Sequence, residues 1–299
     1  MAYRPPKHRA SDFDPDVLLI FDRYVHGDID RRGFLERVGN VVGGSAALGI
    51  LSALSPNFAR GEQVPATDER ISGHYAEFDS PQGYGKARGY LVKPAKLTGK
   101  RGVVLVVHEN RGLNPHIEDV ARRLARLGFT AFAPDALFAL GGYPGDEDKA
   151  RELFPKLDQS KTQADFVAAA AYLQKQPDSN GRLGVVGFCY GGSMTNLLAT
   201  KLPALKAAVP FYGGAPPLDA VPNIMAELLL NFAGNDERVN ASWPPYEEAL
   251  KKAGVKYTAY VYEGTQHGFN NDTTPRYDEA AAKLAWQRTV EFFDRTLHG

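Results

Sequence analysis

The stretch Gly184–Gly192 constrains the fold of this chain more than any other part of the sequence. It reads Gly-Val-Val-Gly-Phe-Cys-Tyr-Gly-Gly, an apolar run typical of a buried strand, and it leads through Gly-x-Cys-x-Gly into the helical segment Ser193–Lys201. A side chain exposed at such a sharp turn needs neighbours two residues away that lack side chains, as Gly187 and Gly191 do. The pattern therefore predicts a nucleophile elbow at Cys189, with a thiol in place of the usual hydroxyl.

Buried strands alternate with helices over residues 71–297, after an antiparallel hairpin that we predict for residues 71–94. The apolar runs predicted as strands are Gly102–His108, Phe129–Pro134, Leu183–Phe188, Ala204–Pro210, Glu227–Ala233 and Tyr257–Tyr262. The segments predicted as helices are Pro115–Leu127, Gln159–Gln176, Ser193–Lys201, Pro244–Ala253 and Arg276–Leu297. This alternation predicts an α/β domain over residues 61–299, with a mostly parallel, doubly wound sheet flanked by helices.

Residues 1–60 differ in pattern and are predicted to form a separate helical N-terminal arm. Asp14 and Pro15 are a suitable cap and first residue for one helix, and a second helix is predicted to begin at Asp30. Residues 38–59 carry no charge, but four glycines interrupt them, so we expect no membrane-spanning helix. We expect the arm to pack on the body of the protein or to form a homodimer.

A short motif in the arm allows a second interpretation. Asp30–Glu36 reads Asp-Arg-Arg-Gly-Phe-Leu-Glu, which is similar to a twin-arginine export signal. Against this, residues 1–30 contain six Asp and four Lys or Arg, so the segment is acidic rather than basic. We expect a cytoplasmic protein, with export to the periplasm as the alternative.

Composition excludes several classes of function. The chain has 35 Lys and Arg and 35 Asp and Glu, so its formal net charge is zero and a nucleic-acid or anionic-membrane partner is not expected. Cys189 is the single cysteine, which excludes an intrachain disulfide and a cysteine-based structural zinc site. The sequence has no His-x-x-x-His ligand pair and no dinucleotide-binding fingerprint, so no metal and no cofactor are expected.

An elbow nucleophile needs an acid and a base later in the chain, in the order nucleophile, Asp or Glu, His. Among the seven histidines, His267 follows a late predicted strand, where the base is expected. Asp236 ends the predicted strand before it and is better placed than Asp219, which lies in a proline-rich connection. We therefore predict a triad in which Cys189 attacks an acyl carbon, His267 carries the proton and Asp236 fixes the tautomer of His267.

The loop after the first long strand is the other expected part of the site. Its Asn110 N–H and the N–H of Tyr190, directly after the nucleophile, are predicted to form an oxyanion hole. Glu109 is an acidic residue at the exit of a buried strand, which indicates a role in the same site. The neighbouring His108 alternates away from Glu109 and is interpreted as structural.

Taken together, these residues resemble the dienelactone hydrolases, α/β-hydrolases with a cysteine nucleophile, over roughly residues 71–297. The motifs that carry the resemblance are His108-Glu109, Arg111-Gly112, Ala133-Pro134-Asp135, Gly187-Phe188-Cys189-Tyr190-Gly191-Gly192, the Asp236 turn and His267-Gly268-Phe269. The resemblance implies the α/β-hydrolase fold and the triad Cys189, His267 and Asp236. It also implies that Glu109 contacts the resting thiol, shifts when substrate enters and helps to release a thiolate from a neutral Cys/His pair.

The sequence also departs from that family. Dienelactone hydrolases bind the carboxylate of their substrate with two arginines, one a few residues beyond the Pro-Asp turn and one closely after the catalytic histidine. Residues 135–142 and 267–271 contain no arginine here, so we expect a small, uncharged or weakly charged substrate. Arg276 is a further cation that could act instead. The candidate substrate-binding residues are Arg111, Phe138, Tyr143, Tyr212, Arg238, Trp243 and Phe269.

The function expected from these features is hydrolysis of small ester or lactone substrates through a covalent acyl-enzyme. Thioester cleavage or acyl transfer by the same triad is the first alternative, because both reactions share that intermediate. A non-catalytic binding protein on the same fold is the second alternative.

Overall fold

The computed structural model of the chain describes residues 4–96 and 99–298, and its first part is a helical N-terminal arm, defined here as residues 4–61. The helices of the arm are α1 (Pro15–His26), α2 (Arg31–Val42), α3 (Ala47–Leu54) and α4 (Phe58–Gly61). As predicted, α1 begins after Asp14, whose side chain accepts a hydrogen bond from the backbone N–H of Asp16. Gly27 ends α1 in the left-handed conformation, with φ 87°.

Within the described residues, eight strands form one sheet in the order β1-β2-β4-β3-β5-β6-β7-β8. The strands are β1 (Ile71–Ser80), β2 (Gly85–Pro94), β3 (Arg101–Val107), β4 (Thr130–Pro134), β5 (Ser179–Phe188), β6 (Leu205–Phe211), β7 (Glu227–Asn235) and β8 (Tyr257–Gln266). The predicted hairpin is confirmed as β1 and β2, and β2 also pairs antiparallel with β4. The other neighbouring strands pair in parallel.

Helices cover both faces of the sheet, as the doubly wound prediction requires. They are α5 (Pro115–Arg126), α6 (Glu147–Leu153), α7 (Gln159–Gln174), α8 (Tyr190–Lys201), α9 (Glu237–Asn240), α10 (Trp243–Ala253) and α11 (Glu279–Leu297). The central strand β3 shows why both faces are buried. Leu105 belongs to the core cluster that contains Phe166 of α7, whereas Val104 and Val106 belong to the cluster that contains Ile117 of α5. The predicted α/β-hydrolase architecture is confirmed.

Several element boundaries differ from the predicted ones, and one helix was not predicted. The last helix begins at Glu279 rather than Arg276, because the side chain of Asp278 caps it by accepting from the N–H of Ala281 at 2.9 Å. The helix after the elbow begins at Tyr190 rather than Ser193, since the chain turns directly at Cys189. Helix α6 lies in a segment for which no helix was predicted.

The N-terminal arm has a small core of its own and also packs on the body of the protein. The ring of Phe34 on α2 lies 6.0 Å from that of Phe21 and 5.1 Å from that of Tyr24, both on α1. At the end of the arm, the N–H of Asn57 donates to the carbonyl oxygen of Thr273 at 2.8 Å. The predicted packing of the arm on the body is therefore observed, and its part in a homodimer stays a prediction.

No single helix among the described residues is long and apolar enough to cross a membrane. The segments Arg31–Val42 and Ala47–Gly61 reach that length and composition only together, with a bend of 114° between them.

The turn between β5 and α8 places Cys189 above the carboxyl end of the sheet. Cys189 has a φ of 56°, a conformation that L-residues with a side chain rarely adopt. The turn is tight because backbone segments meet there. A Cβ atom on Gly187 would lie 2.0 Å from the carbonyl oxygen of Gly191, and one on Gly191 would lie 2.2 Å from that of Val107. Glycine is therefore required at both positions, two residues before and two after the thiol.

Replacing Gly187 with alanine is expected to open this turn. The added methyl group meets backbone rather than a flexible side chain, so we expect a loss of about 3 kcal/mol or more in the free energy of unfolding. Urea denaturation measures this loss. Gly49→Ala is the matched control, because a Cβ at Gly49 in α3 meets nothing within 4 Å and should stabilise the helix by up to about 1 kcal/mol. Equal stability of the two variants would contradict the steric account.

Candidate active site

Asp236 and His267 form a buried hydrogen-bonded pair beside the elbow. Asp236 directly follows β7, and His267 directly follows β8. The Nδ1–H of His267 donates to Oδ2 of Asp236 at 2.5 Å. Burial raises the pKa of Asp236, but the hydrogen bond and charge of His267 outweigh it and hold the pKa below its usual range. The pair leaves Nε2 of His267 buried, with no hydrogen-bond partner within the part of the chain that the structure describes.

The thiol of Cys189 contacts a histidine that the sequence analysis did not select. Nε2 of His26, the last residue of α1, lies 3.6 Å from Sγ of Cys189. The imidazole rings of His26 and His267 meet edge to face, with centroids 4.8 Å apart. A ring nitrogen of each histidine and the sulfur atom lie within 4.8 Å of one another. The thiol therefore has two histidine neighbours, from opposite ends of the chain.

Contacts on both ring nitrogens hold His26 in place. Its Nδ1 lies 2.8 Å from the backbone oxygen of Asp22 and 3.3 Å from Oδ2 of the same residue, so Nδ1 carries a hydrogen. Its Nε2 lies 2.8 Å from Nη2 of Arg238, which lies in α9, two residues after Asp236. Asp22 thus places a carboxylate near Nδ1 of His26, as Asp236 does for His267, but at a longer distance and with its backbone oxygen as the nearer acceptor.

These neighbours favour the ionised form of the thiol. Burial raises the pKa of Cys189, but the charge of His267 and the hydrogen bond of His26 outweigh it and bring the pKa to about 5. Burial lowers the pKa of His26, yet its bonds to Asp22 and Cys189 bring it to about 10. The pKa of His267 is likewise raised, because the charge of Cys189 and the bond to Asp236 exceed the effect of burial. This direction differs from the neutral Cys/His pair that the family resemblance implies; the charge of His267 has the largest lowering effect on the pKa of Cys189, and the hydrogen bond of His26 has the next largest.

The N-terminal arm also contacts the loop between β3 and α5, where the oxyanion hole is expected. The carbonyl oxygen of Val25 accepts hydrogen bonds from Nδ2 of Asn110 at 2.9 Å and from Nη2 of Arg111 at 3.0 Å. Nη1 of Arg276 lies 3.4 Å from Oδ1 of Asp22, which fixes the same end of α1 from another side. The arm is thus a wall of the site rather than a remote extension.

The other residues of the expected site are the oxyanion donors Tyr190 and Asn110 and the acid Glu109. Tyr190 is the first residue of α8, so its N–H is one of those that have no acceptor within the helix. Asn110 lies in the loop after β3, next to Glu109. Oε2 of Glu109 accepts from Nδ2 of Asn271 at 3.0 Å. The resemblance implies a contact between Glu109 and the thiol, whereas in this structure the thiol contacts His26 and Glu109 contacts Asn271.

A small cavity of about 60 Å³, partly open to solvent, lies over Cys189. Its lining combines the arm, the β3–α5 loop, α6 and the loop after β8. The lining residues are Phe21, Tyr24, Val25, Ser55, Pro56, Glu109, Asn110, Arg111, Glu147, Asp148, Cys189, His267, Asn271, Thr274 and Arg276. Among the candidate substrate-binding residues, Arg111 lines this cavity. Tyr212 packs against His267 with ring centroids 5.0 Å apart, and Arg238 contacts His26.

The other four aromatic candidates lie outside the lining of this cavity. Phe138 lies under the guanidinium of Arg88, and the hydroxyl of Tyr143 donates to Glu147 at 2.9 Å. Trp243 packs on Phe232 with centroids 5.0 Å apart, and Phe269 is fully buried against Tyr262 at 4.9 Å. Their surroundings are those of packing residues, because Tyr143, Trp243 and Phe269 pack in or against the core and Phe138 packs on Arg88 of β2.

His26, Cys189 and His267 have the residue types and spacing of a zinc-ligand set. The cation Arg238 already contacts Nε2 of His26, however, and its charge opposes a metal ion at that corner. The arrangement favours stabilisation of an anion, the thiolate, over binding of a cation.

The contribution of His26 had a weak sequence signal. Asp22 and His26 are four residues apart on one helix, a spacing that pairs an acid with a base on the same face. The apolar face of α1 also indicated that the helix packs on something. No pattern along the chain shows, however, that the end of α1 meets the elbow, which lies 163 residues later.

The doubly wound sheet, the thiol elbow and the His–Asp pair define the class of protein as an α/β-hydrolase with a cysteine at the nucleophile position. The family model described as "Dienelactone hydrolase family" matches residues 87–297, and one described as "YqhI-like" matches residues 5–42. The chain belongs to the dienelactone hydrolase family, a family of ester and lactone hydrolases.

Individual relatives agree with this assignment. A protein of Escherichia coli K12 named "Putative hydrolase fragment YghX" is 56% identical over 112 residues, which are 38% of this chain and 96% of that protein. A "Putative carboxymethylenebutenolidase" of Salmonella typhi is 35% identical over 219 residues, which are 68% of this chain and 81% of the relative. The crystal structure of a "Putative Dienelactone Hydrolase" from Klebsiella pneumoniae has a TM-score of 0.66 at 29% identity and covers 75% of this chain and 99% of its own.

Replacing Asp236 with asparagine is expected to destabilise the protein in a pH-dependent way. Because the folded state lowers the pKa of Asp236, its stabilisation is complete above about pH 4 and is lost as the pH falls through the lower, folded value. At neutral pH we expect a loss of about 1–3 kcal/mol in the free energy of unfolding, measured by urea denaturation. The exposed Asp219, changed to asparagine, is the matched control. A deficit that stays constant down to about pH 2 would contradict the ion-pair explanation.

Proposed function

We propose that this protein hydrolyses small carboxylic esters or lactones, with Cys189 as nucleophile, His267 as general base and acid, and Asp236 as the group that orients His267. The observation that carries the proposal is the position of Sγ at the strained elbow, beside a histidine whose Nδ1 is bonded to a buried carboxylate. The sulfur atom and the His–Asp pair come from three different strand ends, at one edge of the sheet. Such a constellation serves covalent acyl chemistry.

In the proposed acylation, Cys189 attacks the acyl carbon as the thiolate, while its proton is held on Nε2 of His267. The carbonyl oxygen becomes an oxyanion, which accepts hydrogen bonds from the N–H groups of Tyr190 and Asn110. The bond to the leaving alkoxide then breaks, and His267 returns the proton to that oxygen. The product is an alcohol and an acyl group bound as a thioester to Cys189, or, from a lactone, one ring-opened acyl-enzyme.

In the proposed deacylation, water donates a proton to His267 and attacks the thioester carbon. The C–S bond breaks, the carboxylic acid leaves and the proton returns to the thiolate or to solvent. Glu109 lines the cavity together with Cys189. We propose that its carboxylate breaks its hydrogen bond with Asn271 when substrate enters and then helps to release the thiolate.

The substrate is proposed to be small and to lack a strongly charged group. Arg111 lines the cavity, but Val25 and the backbone oxygen of Asn110 already accept from its guanidinium. Residues 135–142 and 267–271 contain no arginine that could bind a substrate carboxylate. The names of the relatives indicate a lactone hydrolase, which fits a substrate whose acyl carbon and leaving oxygen belong to one ring.

Acyl transfer and thioester cleavage use the same acyl-enzyme and remain the alternative reactions of this site. The acceptor decides between them. Addition of a small alcohol or thiol to the assay diverts the acyl group into a new ester in a transferase, whereas in a hydrolase free acid stays the main product.

Cys189→Ala is expected to abolish turnover of activated esters and lactones, because the acyl group has no atom to bind. We expect kcat/KM to fall at least about 1000-fold. Product release and intact-protein mass, measured after brief mixing, test this. Wild type alone should gain the mass of the acyl group, unless deacylation outruns acylation.

The matched pair for the acid is Asp236→Asn against Asp219→Asn. The first change should cost about 100-fold or more in kcat, since His267 loses the acceptor that fixes its tautomer, and the second should leave kcat unchanged. A fully active Cys189→Ala protein would contradict the proposed chemistry. Binding of esters without turnover by the wild type would favour the binding-protein alternative.

A further inference from the structure

The thiol of Cys189 has a histidine neighbour that the proposed triad does not use. His26 reaches Sγ from α1 at 3.6 Å, and its side chain is only 12% exposed. The triad already supplies a base, His267, with its own carboxylate. A second imidazole, with a second carboxylate at 3.3 Å, therefore needs an explanation within the site.

The position of His26 is held by a set of contacts that anchor α1 and the arm. Beside His26, Val25 accepts from the side chains of Asn110 and Arg111. At the residue before Val25, Asp148 accepts from the hydroxyl of Tyr24, and Arg31 binds the same carboxylate. Arg276 contacts Asp22 and lies over the ring of Phe21 at 5.3 Å. These contacts order the helix end that carries His26.

The far end of the arm is tied to the body as well. The carbonyl oxygen of Gly61, the last residue of the arm, accepts from Nη2 of Arg123 at 3.1 Å, and directly after the arm the N–H groups of Gln63 and Val64 donate to the carboxylate of Asp119 at 3.0 and 2.8 Å. Asp119 binds Arg123, and Arg123 also binds Asp272 at 2.7 Å. The arm is therefore attached on both sides of the cavity, and His26 belongs to the folded site.

We propose that His26 is a catalytic residue of this enzyme: the docked N-terminal arm holds its imidazole against Sγ of Cys189 and so maintains the nucleophile as a thiolate before substrate enters. This role rests on the proposed thiol hydrolase function. It makes the arm a component of the active site, and it gives Asp22 the task of positioning His26.

The proton balance of this role is simple. On ionisation the thiol proton goes to Nε2 of His267, while His26 takes no proton from the substrate and breaks no bond. When His26 is protonated, its Nε2–H donates to the thiolate. When it is neutral, Nε2 accepts from Nη2 of Arg238 at 2.8 Å; protonation of His26 requires that guanidinium to turn away, because both nitrogens would then be donors. The protonated form of His26 is the one that supports the thiolate.

Charged groups from every neighbouring element surround the thiol and His26. They are Asp22 of α1, Glu109 and Arg111 of the β3–α5 loop, Glu147 and Asp148 at α6, Asp236 and Arg238 after β7, and His267 and Arg276 after β8. Among these groups, His267 and His26 are the ones that lower the pKa of Cys189, to about 5. Removal of His26 leaves the others in place.

The test compares the rate of Cys189 alkylation by iodoacetamide as a function of pH in wild type, His26→Ala and His26→Gln. Without the imidazole, we expect the rate constant at about pH 5.5 to fall about eightfold, because a smaller fraction of the thiol is ionised. Near pH 9 the rates should converge, since both thiols are then ionised. The amide of His26→Gln should restore part of the rate. Thiolate absorbance should follow the same pH dependence.

His74→Ala, on the exposed face of β1, is the matched control and should react as wild type does. Circular dichroism establishes that each variant is folded. An unchanged pH profile in His26→Ala would overturn the proposal and leave His26 a structural residue. Faster alkylation at every pH would overturn it too, since the arm would then act as a cover over the thiol.

This experiment is independent of turnover. If wild type shows the shifted alkylation profile but hydrolyses no ester, the role of His26 in ionising Cys189 stands and the proposed reaction fails. If wild type hydrolyses esters and His26→Ala has the same acid limb in its kcat/KM profile, the proposed reaction stands and the role of His26 fails.

Discussion

The strained turn at Cys189 is the constraint on which the rest of the site depends. Its left-handed backbone lifts the thiol above the carboxyl ends of the parallel strands, and it exists only because Gly187 and Gly191 let three backbone segments meet within van der Waals distance. The parallel sheet then brings Asp236 and His267 to the same edge, since each directly follows a strand. The backbone conformation that the fold imposes on Cys189 is thus the one that exposes its thiol, and strain of this kind is expected at functional sites.

The charged groups around the sulfur atom decide the pKa of the Cys189 thiol. A buried thiol on its own would have a raised pKa, because low dielectric disfavours its charged form. Two imidazoles reverse that direction, each with a carboxylate near Nδ1, and the result is a thiol with a pKa near 5. One imidazole belongs to the family body, whereas the other comes from the N-terminal arm, outside the region that the dienelactone hydrolase model matches.

The helical arm depends on contacts with the body of the protein for much of its stability. Its own core is small, with Phe34 packed between Phe21 and Tyr24, and a core of this size stabilises a chain segment only marginally. Hydrogen bonds from Asn110 and Arg111 to Val25, and the buried charges around Asp119, supply the remaining attachment. Any motion of the arm therefore changes the contacts of both the β3–α5 loop and the thiol of Cys189.

The sequence by itself determined the α/β class, the elbow and the Asp236–His267 pair, because these depend on local patterns: apolar runs, glycines two residues from the nucleophile, and polar residues that directly follow strands. It determined α1 for the same reason, through Asp14 and Gly27. Only the tertiary structure decided that His26 contacts Cys189, and that Trp243 and Phe269 pack in the core instead of lining the cavity. Those facts depend on where whole elements dock, and docking is set by long-range packing and charge pairing that leave no periodic trace along the chain.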